Sequence, residues 1–168
     1  PVDYDDRYLK EIPQEILDRD YGCGDPSRHL NPGYHVLDLG SGGGKICYLA
    51  SQVVGATGQV GGVDVNDDML GLARQYQTEV ADRIGHSNTD FRKGRIQDLQ
   101  LNLDQFEQWL QEHPVRSSAD WLAAAEEADR MRRDSPLVAS DSMDAVVSNC
   151  VLNLVKNEDR HQLFGEVF

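Results

Sequence analysis

The chain has 168 residues, 39% hydrophobic and 27% charged, which is enough for one domain with its own core. A net charge of −13 argues against a phosphate-backbone partner and against docking on anionic lipid, both of which call for clustered Lys and Arg. The remaining classes are small or neutral substrates and cationic cofactors.

Residues 1–32 are polar and read as an N-terminal segment, with a helical pattern around Tyr8–Leu17 and then the loop Asp20-Tyr-Gly-Cys-Gly-Asp-Pro26. Tyr34 to Leu39 is a short apolar strand bounded by Pro32-Gly33 and by glycines. A helix follows from Gly44 to Val54, its inner face carrying Leu49, Ala50, Val53 and Val54, with Gly55 as its C-terminal stop. Gln59 to Val65 reads as a second strand. Asn66, Asp67 or Asp68 then caps a helix in which Met69, Leu72, Ala73, Tyr76 and Val80 recur at helical spacing, ended by Gly85.

Thr89–Lys93 is a third strand with Gly94-Arg-Ile-Gln-Asp98 as its exit. Residues 100–136 exceed a simple crossover and hold two helices, about 103–112 and 118–133. They read as an insert that covers the sheet, with a substrate-side lid as the alternative. A fourth strand enters at Asp144-Ala-Val-Val147. Strand–helix alternation of this kind gives an α/β, Rossmann-like three-layer sandwich with a mostly parallel sheet over residues 33–168.

No run of about 20 apolar residues is present, and no basic, apolar leader. Cys23, Cys47 and Cys150 are odd in number and lack zinc-like spacing, so the sequence gives no metal site. It argues against a disulfide scaffold and for a reducing, cytoplasmic setting. The start at Pro1 and the stop at Phe168, inside an apparent helix from Glu158, read as a piece of a longer protein.

The chemistry-bearing loop is Asp38-Leu-Gly40-Ser41-Gly42-Gly-Gly44. Glycines there permit positive φ and a close ligand approach. The dinucleotide pattern G-x-G-x-x-G fails, because its last glycine falls on Lys45 or on Cys47. The phosphate loop G-x-x-x-x-G-K-S/T fails at Leu39 and Ile46. An acidic residue two positions before G-x-G-x-G fits instead, and resembles the first motif of class I S-adenosylmethionine (SAM) dependent methyltransferases. Asp64, 20 residues after Gly44 at the end of the second strand, stands where an acidic side chain can meet ribose hydroxyls.

That resemblance implies SAM as cofactor, held by Tyr21, Asp38, Gly40, Ser41, Gly42, Gly44 and Asp64. Val65, Met69, Ile96 and Gln97 would lie near adenine, and Asn149 beside the reactive methyl. It also implies further C-terminal strands that this chain does not contain. Asp20-Tyr-Gly-Cys23-Gly, Cys47-Tyr and above all Ser148-Asn-Cys150-Val-Leu-Asn-Leu154 are similar to the arsenite methyltransferase family. The implied substrate is arsenite or its thiol conjugate, bound by Cys23 and Cys150 and maintained by a thiol reductant. Soft trivalent arsenic prefers sulfur ligands.

Cys47, beside Leu49 and Ala50, reads as core. The resembled family commonly carries Arg-Asp before Cys-Tyr, where this chain has Lys45-Ile46, and a further arsenic-binding cysteine in its C-terminal half. The competing readings are a methyltransferase for a small organic acceptor of the ubiquinone or menaquinone biosynthesis kind, and a SAM-binding module without turnover.

Overall fold

Val36, Leu37 and Leu39 leave almost no surface to solvent, as apolar strands flanked on both faces must. They belong to β1 (His35–Leu39), the inner strand from which a computed structural model, describing residues 4–168, is built. Residues 1–3, with the Pro1 start, lie outside the described residues. Around β1 run β2 (Gln59–Asp64), β3 (Thr89–Lys93) and β4 (Ala145–Ser148), all parallel, in the order β3-β2-β1-β4.

Strand alternation divides the core in two. Val36, Val60 and Phe91 face one side. There they meet α3 (Lys45–Val54) and α4 (Asp67–Ile84). Leu37, Leu39 and Val63 face the other, against Ile96, Leu99, Leu137, Val155 and Leu163, the last on α7 (Arg160–Val167). Two apolar faces and helices on both sides make the three-layer α/β architecture that the alternation predicts. Gly62 lets α3 approach β2: a Cβ there would stand 2.8 Å from Cys47 Sγ and 2.8 Å from Ser41 Cβ.

Helix ends follow local chemistry. Asn66 caps α4 by accepting from the Asp68 and Met69 amides, and Gly85 closes it in the left-handed region. The N-terminal segment departs from the expected single pattern. It forms α1 (Asp6–Leu9) and α2 (Gln14–Asp18), because Pro13 cannot continue a helix but can begin one. A 3-10 turn at Pro26–His29 then leads into β1.

The insert forms α5 (Leu103–Glu112) and α6 (Ser118–Asp134). It does not cover the sheet as expected. Leu101, Ala128 and Met131 form a small separate cluster with Leu103, Phe106 and Trp109. Charges fasten this unit to the β3 edge: Lys93 Nζ lies 2.6 Å from Glu107, Arg74 2.6 Å from Asp104, and Arg132 2.9 Å from Asp98. The amphipathic stripes of α5 and α6 pair with each other, which removes the need for the sheet face. Among the described residues, no helix is long and apolar enough to cross a membrane.

Candidate active site

The carboxyl ends of β1, β2 and β4 open onto a cleft of about 590 Å³, a volume in the range of small-molecule sites. Open parallel sheets bind ligands at this end, beside the inner strands. The loop after β1 forms its floor. Gly40, Gly42 and Gly44 have φ of 76°, 52° and 88°, so the turn depends on residues without a Cβ. A Cβ on Gly44 would also stand 2.8 Å from the Phe91 ring.

Asp38 is placed by alternation on the face beneath α3 and is 2% exposed. Its Oδ2 accepts from Cys47 Sγ at 3.5 Å, while Oδ1 has no hydrogen-bond partner among the described residues. Burial pushes its pKa up to about 7. The Cys47 hydrogen bond opposes that shift, and the nearby Asp64 charge adds to it. Ser41 Oγ, also at the cleft, is buried and unpartnered too.

Asp64 is engaged with backbone rather than standing open. Oδ2 accepts from the Gly42 amide at 2.8 Å, and Oδ1 from the Val65 and Asn66 amides at 2.7 and 2.9 Å. A carboxylate has about four lone-pair sites, so capacity for a further donor remains.

Of the other expected cofactor residues, Met69 lines the cleft, and Tyr21 stands at its lip, 86% exposed. Val65 is exposed and is not among the lining residues. Ile96 turns its side chain into the far-face core, and Gln97 follows it outside the cleft. No residue of the insert between 100 and 136 lines it either.

The acceptor side is built from two distant segments. Asn149 lies just beyond β4. Its Nδ2 donates to the Gly24 carbonyl at 2.9 Å, and its Oδ1 accepts from the Cys23 amide at 3.2 Å. This brings Cys23 to Cys150, with Cα atoms 6.2 Å apart, and the two sulfurs form a disulfide. The expectation from cysteine count is corrected here. An odd number of cysteines says nothing about two residues 127 apart that the fold brings together. Cys150 lines the cleft in a left-handed conformation, φ 58°, unusual for a residue with a side chain. Cys47 is fully buried with its thiol pKa pushed well up by burial, in keeping with a core residue.

Sequence reasoning assigned no role to Lys45, Asp20 or Tyr4. Lys45 Nζ lies 2.5 Å from Asp20 Oδ2 and 3.7 Å from the centre of the Tyr4 ring. One signal was available: a lysine at the first position of α3 faces the positive end of the helix dipole and needs a tertiary partner.

The 3-2-1-4 strand order with this glycine turn defines a class I SAM-dependent methyltransferase fold. The chain belongs to the methyltransferase domain family, whose model matches residues 30–162. Its relatives include arsenite methyltransferases and, over shorter stretches, quinone-biosynthesis methyltransferases such as that of Arabidopsis thaliana, 30% identical over 107 residues, covering 64% of this chain and 41% of that protein. It is 36% identical over 151 residues to the arsenite methyltransferase of Aquipseudomonas alcaligenes, covering 90% of this chain and 34% of that protein. It is 30% identical over 162 residues to the one from Homo sapiens, covering 95% and 34%. The structure is similar to that of CrArsM, an arsenic(III) S-adenosylmethionine methyltransferase from Chlamydomonas reinhardtii. The TM-score is 0.68 at 27% identity, over 99% of this chain and 44% of that one. The chain thus spans about a third of the length of the two curated arsenite methyltransferases.

SAM is the cofactor of this class, and the cleft fits it. The orphaned Asp38 Oδ1 and Ser41 Oγ are buried polar atoms without partners, of the kind that the ammonium of an amino-acid moiety would satisfy. The glycine turn admits a ligand against the backbone.

Proposed function

We propose that the protein transfers the methyl group of SAM to trivalent arsenic held by the thiolates of Cys23 and Cys150. The observation that carries this reading is the meeting of those two cysteines at the edge of the glycine-loop cleft. When bound, SAM supplies a methyl group made electrophilic by its sulfonium. The chain's part is positioning. Two thiolates grip arsenic and leave its lone pair free to attack, and no general base is required.

The Cys23–Cys150 disulfide must first open. A thiol reductant gives two electrons, becomes oxidised, and leaves two thiols whose protons are lost on binding arsenic. Asp38 supplies negative charge near the ammonium end of the cofactor, and Ser41 a hydroxyl. Asp64 keeps the glycine turn in shape and offers its remaining lone pairs to ribose. Met69 meets the adenine from the cleft wall, Tyr21 stands at the lip, and Asn149 borders the methyl group.

The test is methylation of arsenite by the whole protein with thiols present, repeated with Cys150→Ser. We expect near-complete loss in the variant. Full activity there would sink the ligand role of Cys150. Turnover confined to a quinol precursor would move the assignment to a small organic acceptor.

A further inference from the structure

We propose that Lys45 and Asp20 are a positioning pair. They tie the loop that carries Cys23 to the glycine turn, so that Cys23 is held opposite Cys150. This inference rests on the dithiol reading above. It assigns a role to two residues that touch neither arsenic nor its ligand sulfurs.

Loop 20–24 is fastened at both ends. At its start, Asp20 Oδ2 meets Lys45 Nζ at 2.5 Å, and Asp20 Oδ1 accepts from the Gly22 amide at 3.1 Å. At its finish, the Gly24 carbonyl accepts from Asn149 Nδ2 at 2.9 Å and from the Tyr4 hydroxyl at 2.6 Å. The Tyr4 ring in turn lies 3.7 Å from Lys45 Nζ, which closes the circuit. Cys23 sits inside this ring of contacts.

Burial gives the pair its force. The side chains of Lys45 and Asp20 are 9% and 18% exposed, so little solvent screens them. Lys45 directly follows Gly44, the last of the three positive-φ glycines, and so shares the backbone that forms the cofactor floor. A cation at a helix N-terminus is unfavourable without such a partner, which makes the pairing with Asp20 the state that the helix itself favours.

The experiment uses the whole protein, reduced, with phenylarsine oxide as the dithiol probe and S-adenosylhomocysteine as the cofactor probe, both by calorimetry. Lys45→Met and Asp20→Asn should each weaken phenylarsine oxide binding by about tenfold. The double variant should lose no more than either single one, and Lys45→Arg should recover most of the loss. Both residues line the cofactor cleft, so affinity for S-adenosylhomocysteine serves as the comparison and should fall clearly less than that for phenylarsine oxide. Thermal unfolding identifies any variant that no longer folds. If Lys45→Met fails that check, Asp20→Asn decides.

Unchanged phenylarsine oxide affinity in the folded variants overturns the pair alone. A loss that falls on S-adenosylhomocysteine instead overturns it too, and makes Lys45 a ligand of the cofactor's carboxylate. A wild-type protein that does not bind phenylarsine oxide overturns the dithiol reading itself.

Discussion

Asp64 Oδ2 accepts a hydrogen bond from the Gly42 amide at 2.8 Å, joining the tip of β2 to the glycine turn after β1. The same carboxylate accepts from Val65 and Asn66, so one side chain satisfies three backbone donors. Neighbouring parallel strands end side by side, and the acidic residue bridges their exits. The acidic end of β2 and the glycine turn after β1 are therefore parts of one hydrogen-bonded unit.

Replacing Asp64 by Ala should thus act twice. Three amides lose their acceptor, which should cost about 1–2 kcal/mol of stability for this part-exposed, charge-assisted group. Affinity for S-adenosylhomocysteine should fall at least about tenfold, read by calorimetry. Unchanged affinity would remove Asp64 from the cofactor site.

Asp38 makes stability depend on pH. Burial pushes its pKa up to about 7 in the folded chain, from the ordinary carboxylate value of 3.8, so between these two values the folded state keeps a proton that the unfolded chain releases. Stability from this group is fully present below pH 3.8 and is lost as pH rises toward 7, then is flat. Asp38→Asn should reduce the difference in unfolding free energy between pH 5 and pH 7 by about 2–3 kcal/mol. Urea titrations at the two pH values measure this. Equal differences in both proteins would show that Asp38 is ionised in the folded state.

Gly44→Ala should destabilise the fold by about 2–4 kcal/mol. Its φ of 88° penalises any side chain, and the added carbon would meet Phe91 at 2.8 Å. Gly71→Ala is the control, because a Cβ there meets nothing within 4 Å. Chemical denaturation of the two variants separates the positions, and a similar stability in both would refute the requirement at Gly44.

Gly22→Ala tests the loop from the other side. A Cβ on Gly22 would lie 2.5 Å from Asn149 Nδ2 and 3.0 Å from Asp20 Oδ1, so the loop or the Asn149 amide that holds it must shift. The fraction of Cys23–Cys150 disulfide formed in a glutathione buffer, read by mass spectrometry, should drop several-fold. Thermal stability should change little, since the displaced groups lie at the surface of the cleft. An unaltered disulfide fraction would mean that Asn149 does not hold Cys23 in place.

The strands and main helices were legible because their signals are local. The glycine stop after Leu39, the Asn66 cap and the Gly85 terminator each act within a turn or two of chain. Where the sequence reading failed, a distant partner decided the outcome. A count of cysteines could not see that Cys23 meets Cys150, and the apolar stripes of α5 and α6 met each other rather than the sheet.

By itself, then, the sequence determined the parallel α/β order, the acid–glycine turn at 38–44, the acidic end of β2 at Asp64, and the class of cofactor these imply. Spacing along the chain encodes those features, since each is set by neighbouring residues. Only the tertiary structure decided that Cys23 bonds to Cys150, that Lys45 finds Asp20, and that Asp38 lies buried with one oxygen unpartnered. Those outcomes depend on where segments 25 to 127 residues apart come to rest once the sheet has formed, and on the burial that follows.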